Sequence, residues 1–85
     1  MKEQPNKELG PDGVLRPAEV EQRLNRTLAT VFAGAAGQSA LEYLRSITVN
    51  WVSGPNESDA SLRHREGMRF LYAVIEQRVE RGKAQ

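Results

Sequence analysis

The chain has 85 residues, 39% hydrophobic and 27% charged, which allows one small domain with a thin core, since a chain this short buries only about 60% of its unfolded surface. The absence of cysteine excludes a disulfide scaffold and a thiolate metal site, and with His64 as the single histidine a zinc site would need carboxylates to complete it. Twelve Lys and Arg against eleven Asp and Glu leave no global field toward nucleic acid or an acidic membrane. No apolar run approaches the roughly 18 residues of a membrane span, and Met1-Lys2-Glu3-Gln4-Pro5 lacks the apolar stretch of a secretory signal. A cytoplasmic protein is expected.

Residues 1–16 hold Pro5, Gly10, Pro11 and Gly13 with charges of both signs, and the segment reads as a flexible arm. A single helical domain is expected over 17–82. Pro17 suits a helix start, and Glu19 and Glu21 follow where the helix dipole favours negative charge. The apolar residues Val20, Leu24, Leu28, Val31 and Phe32 recur at helical spacing and predict a first helix over about 17–33, with Glu21, Arg23 and Arg26 on its polar back. Gly34-Ala35-Ala36-Gly37 breaks the pattern, because each glycine costs about 1 kcal/mol in a helix interior relative to alanine. A second helix is expected over about 36–50, carried by Ala40, Leu41, Leu44, Ile47 and Trp51; the β-branched run Ile47-Thr48-Val49 leaves a short strand as the lesser alternative. Ser53-Gly54-Pro55-Asn56 is a stop, and a third helix over about 58–81 follows, capped by Ser58 or Asn56. The sum is an all-α three-helix bundle with an N-terminal arm.

No constellation for catalysis, cofactor binding or metal binding is visible, so no enzyme and no small-molecule substrate is expected. His64 lies between Arg63 and Arg65 with no carboxylate to orient it, which is the pattern of a solvated helix-surface histidine. Gly34-Ala35-Ala36-Gly37-Gln38-Ser39 lacks the lysine and preceding strand of a phosphate loop and reads as a hinge. Residues 62–85 carry six Lys and Arg against three Asp and Glu, and Arg65 and Arg69, one turn apart, are the candidates for phosphate or an acidic partner. Trp51, Phe70 and Tyr72 are the candidate interaction aromatics, with core or interface packing favoured over base stacking for Trp51 and Tyr72. Gly67 stands in mid-helix beside Leu71, a costly position that predicts a close helix crossing against the Leu41 and Leu44 surface of the second helix. Arg69 would then reach Glu42 or the carbonyls at a helix end.

The pattern of Phe32, Gly37-Gln38, Leu41 and Leu44, followed by Arg65-Glu66-Gly67-Met68-Arg69 with Leu71, Val74 and Ile75, resembles a family of small bacteriophage proteins known as an uncharacterised domain from a Bordetella phage and podovirus-like relatives. The likeness covers about half of the chain, and the link around Trp51-Val52-Ser53-Gly54-Pro55 departs from it. It implies a phage origin and a helical fold, with Glu66, Gly67 and Arg69 as fold-defining positions and no catalytic or binding residue. The expected role is a structural or assembly protein working by helix-mediated contacts with itself or a larger phage protein, at the head, portal or packaging apparatus, in the infected cytoplasm or the virion. The alternatives are a nucleic-acid-binding accessory protein using the basic third helix and a host-directed inhibitor.

Overall fold

A computed structural model describes residues 6–85. Two short strands, β1 (Lys7–Leu9) and β2 (Leu15–Pro17), precede three helices, α1 (Ala18–Val31), α2 (Gly34–Ser46) and α3 (Asp59–Ala84). The helical reading therefore holds, but the fold is not purely all-α. Residues 7–16, expected as part of an arm, and Pro17, expected as a helix start, form an antiparallel hairpin in which Lys7 pairs with Pro17, Glu8 with Arg16 and Leu9 with Leu15; residues 1–5 of the expected arm lie outside the described residues.

The hairpin follows from the chemistry of Gly10-Pro11-Asp12-Gly13. Proline presets the first central position of the turn, and the closing glycine takes the left-handed conformation at φ +83. Gly13 N–H donates to the Gly10 carbonyl at 3.0 Å, and the Asp12 carboxylate accepts the Val14 backbone N–H at 3.0 Å. Gly10, Pro11 and Gly13, whose composition resembles a linker, are thus turn residues at the correct offsets.

Between α1 and α2 the chain reverses at Phe32-Ala33-Gly34, with Gly34 at φ +75. The Gln38 side-chain amide donates to the Phe32 carbonyl at 2.8 Å, satisfying the end of α1 from the first turns of α2. A Cβ at Gly37 would lie 2.5 Å from the Phe32 carbonyl carbon, so the tight reversal requires glycine there. The second helix stops at Ser46, short of the expected 50. Residues 47–50 form turns instead of a strand, with Thr48 Oγ1 donating back to the Leu44 carbonyl at 2.7 Å. Ser58 caps α3 by accepting the Ser61 N–H at 3.1 Å, and Arg81 and Lys83 lie in its last turn where the dipole favours cations.

The first helix lies along the C-terminal half of α3 in the same direction, with Glu21 opposite Arg78 and Arg26 reaching Gln85 at 3.2 Å. Their closest approach is at Gly82, where a Cβ would run into the Asn25 backbone carbonyl and come within 2.6 Å of the Ala29 Cβ. The crossing glycine is therefore Gly82. At Gly67, where the sequence pattern placed the crossing, a Cβ would meet nothing within 4 Å, and Leu71 beside it is exposed.

Only Tyr72 and Val79 are buried hydrophobics among the described residues, and no residue of α2 is buried. Leu41 and Leu44 are half-buried, and the ion pair Arg45–Glu76 at 3.0 Å ties α2 to α3 in solvent. The radius of gyration is 16.1 Å, against about 12 Å for a compact chain of this length. The chain is a slab of 59 × 35 × 13 Å rather than a closed bundle.

Candidate protein-contact surface

The polar centre of the molecule holds its parts together. Glu21 and Arg78 are buried opposite each other, with Arg78 Nη1 donating to Glu21 Oε1 at 3.1 Å and to Asn25 Oδ1 at 3.0 Å, and Nη2 to Glu21 Oε2 at 3.2 Å. Arg16 from β2 adds a bond to Glu21 Oε2 at 2.9 Å and grips Asp12 at 2.7 Å, while Arg78 lies 3.5 Å from Asp12. Burial alone would raise the Glu21 carboxyl, but the guanidiniums of Arg78 and Arg16 outweigh it and hold the group below its ordinary value. Asp12 is held well below the carboxylate range by its hydrogen bond from Arg16 and by the Val14 N–H, and Arg16 is correspondingly raised by Asp12 and Glu21. Every acid here is matched by a donor and no buried side-chain atom lacks a partner among the described residues, so the cluster is a clasp between hairpin, α1 and α3. Sequence reasoning placed Glu21 on a polar back and missed this group. The available signal was that Glu21, Asn25 and Ala29 share one helical stripe, as do Arg78 and Gly82 across from it.

A second cluster gathers three of the residues singled out from sequence. The Arg65 guanidinium stacks over the Trp51 ring at 4.3 Å from its centroid, and Arg69 Nη2 donates to the Trp51 carbonyl at 2.6 Å. Arg65 Nε also donates to Glu57 at 2.5 Å, and the Ser61 hydroxyl donates to the same carboxylate. The Ser61 hydroxyl first, and then Arg65, lower the Glu57 carboxyl from its ordinary value. Arg65 and Arg69 therefore fasten the 47–58 connection onto α3, and the Arg69 partner is a backbone carbonyl beyond α2 rather than Glu42. Of the other cations on this helix, Arg78 is in the clasp, Lys83 pairs with Glu80 at 3.4 Å, and Arg63 and Arg81 make no ion pair among the described residues.

The candidate aromatics separate. Tyr72 is 5% exposed and belongs to the core, so it is not available to a partner. Trp51 is 51%, Phe70 58%, Leu71 61% and Val52 84% exposed, and all four face solvent on or beside the N-terminal half of α3. Between α2 and α3 the exposed side of Leu71 continues into an open groove, lined by Leu44, Ile47, Met68 and Ile75, with no polar surface. These exposed apolar groups occupy more than one side of the helix, since Trp51 lies against Arg65 and Met68 while Phe70 projects from the opposite side, and their number beside two buried hydrophobics among the described residues marks α3 as a contact element.

A family profile for Bbp19-like phage proteins matches residues 28–83, from the end of α1 through α3. The chain belongs to that family. No curated protein and no solved structure matches it. The matched span takes in the exposed Phe70 and Leu71, the Trp51 cluster and Arg78, while the hairpin and the Glu21 half of the clasp lie before it. Among the described residues no helix is long and apolar enough to cross a membrane.

Proposed function

We propose that this member of the Bbp19-like family is a small assembly component of a phage, acting by helix-mediated protein–protein contact through the N-terminal half of α3 and the connection that leads into it. The observation that carries the reading is the exposure of Trp51, Val52, Phe70 and Leu71 on a chain in which, among the described residues, Tyr72 and Val79 are the buried hydrophobics. The clasp of charges fastens the hairpin and α1 to the C-terminal half of α3, and the Arg65 and Arg69 contacts fasten the Trp51 connection to its N-terminal half. The nucleic-acid reading draws less support, because Arg65, Arg69 and Arg78 are each engaged within the chain. Peptide mass spectrometry of purified, nuclease-treated particles, with copy number measured against the portal protein, tests the role. Stoichiometric presence is expected. Expression in infected cells with absence from particles and from assembly intermediates would overturn it.

A further inference from the structure

Gly67 sits in the middle of a 26-residue helix, yet none of the described residues outside its own helical turn lies within 4 Å of where its Cβ would be. Glycine weakens a helix interior and is of use there where another backbone or a bulky ring comes close. One turn further along the same face stands Phe70, 58% exposed, with Leu71 at 61% beside it. The helix thus presents a hollow and a projecting ring three residues apart, both unfilled.

We propose that a second copy of this chain covers this face, its α3 crossing antiparallel so that Phe70 of each copy seats over Gly67 of the other. The proposal rests on the protein-contact role above and names the partner. A two-fold pairing satisfies both features at once, since in an isologous contact residue i meets j and j meets i; a foreign partner would have to supply a matching ring and a matching hollow separately. The surface available agrees. The chain exposes 6306 Å², roughly 1,300 Å² more than the approximately 5,000 Å² of a compact monomer of its mass, and a stable interface needs only about 800 Å² from each partner. The groove between α2 and α3 adjoins Leu71, so the same copy can cover its rim. The near-zero net charge of +1 places no long-range repulsion between two copies.

The register makes a specific claim: Arg63 of one copy lies opposite Val74 of the other, while Arg63 to Arg63 across the dimer is separated by about 16 Å along the axis. Because the chain has no cysteine, Arg63→Cys and Val74→Cys can be made in an otherwise thiol-free protein. Mixed under mild oxidation, the two variants are expected to give the Arg63→Cys/Val74→Cys heterodimer at least fivefold above either homodimer. Sedimentation of the unmodified chain is expected to show a dimer that Phe70→Ala or Gly67→Leu weakens by tenfold or more, with the helical circular dichroism unchanged. A monomer at high concentration, a dimer indifferent to both substitutions, or cross-links without heterodimer preference would overturn the pairing. A monomer found stoichiometrically in particles would overturn the pairing and leave the assembly role standing; a dimer absent from particles and assembly intermediates would do the reverse.

Discussion

Two glycines of α3 separate what a backbone permits from what the fold uses. At Gly82 a methyl would enter the Asn25 carbonyl, which belongs to a helix backbone and cannot turn aside, so Gly82→Ala should force α1 and α3 apart. Overpacking of this kind costs about 1–3 kcal/mol, which for a domain of this size lowers the melting temperature by about 4–8 °C for each kcal/mol. Gly67→Ala meets open space, and at concentrations where the chain is monomeric it should raise stability by about 1 kcal/mol through helix propensity alone. Thermal melts of the two variants at low concentration check the pair, and the reading fails if both move in the same direction. Sequence spacing marked Gly67 as unusual but could not say which glycine meets a neighbour, because that depends on the helix against which α3 packs. Aromatic residues show the same limit: Trp51 and Phe70 are exposed while Tyr72, two residues from Phe70, is buried, a difference set by rotation about the helix axis.

Among the elements, the helices were legible from apolar periodicity and, for α3, from its Ser58 cap; α1 and α3 end near their expected bounds, whereas α2 starts inside the glycine break at Gly34 and stops four residues early at Ser46. The hairpin was not, because Pro and Gly serve linkers and turns alike; the deciding detail is their order around Asp12, which lets one carboxylate serve the turn and two arginines. A two-stranded ribbon is marginal alone, so its persistence depends on the clasp. Arg78→Ala leaves Glu21 buried with only Arg16 as a charged partner, and loss of one member of a buried pair costs about 3–5 kcal/mol. Urea unfolding should show that loss, whereas Glu76→Gln, which breaks a solvent-exposed pair to Arg45, should change stability by less than about 0.5 kcal/mol. The clasp also sets the acid response. Glu21 and Asp12 both have folded values below their ordinary 4.5 and 3.8, so they bind protons more readily when unfolded. Their contribution is complete above those ordinary values and drains as pH falls below them. Stability measured from pH 7 down to 2.5 should therefore fall below about pH 4, and Glu21→Gln, already destabilised at pH 7, should show a shallower fall.

At the scale of the whole molecule, the slab shape has a thermodynamic consequence. A helix hides its apolar stripe against another layer, and here α2 buries no residue while the N-terminal half of α3 exposes Phe70 and Leu71. Composition indicated a thin core but not its distribution, since neither length nor periodicity says whether three helices close into a bundle or lie spread. With so little of its apolar surface covered, the isolated chain should sit near the lower end of domain stability, and association should supply most of the stability of the native protein. Unfolding of a native dimer to separate chains makes the melting temperature depend on concentration. Each tenfold increase should raise it by about 3–5 °C for a protein of this size. Differential scanning calorimetry over a hundredfold concentration range measures the slope directly. A slope of that size that vanishes in Phe70→Ala would assign the missing part of the core to the second copy, whereas a melting temperature independent of concentration in both proteins would mean that the thin core around Tyr72 and Val79, with the charge clasp, is sufficient by itself.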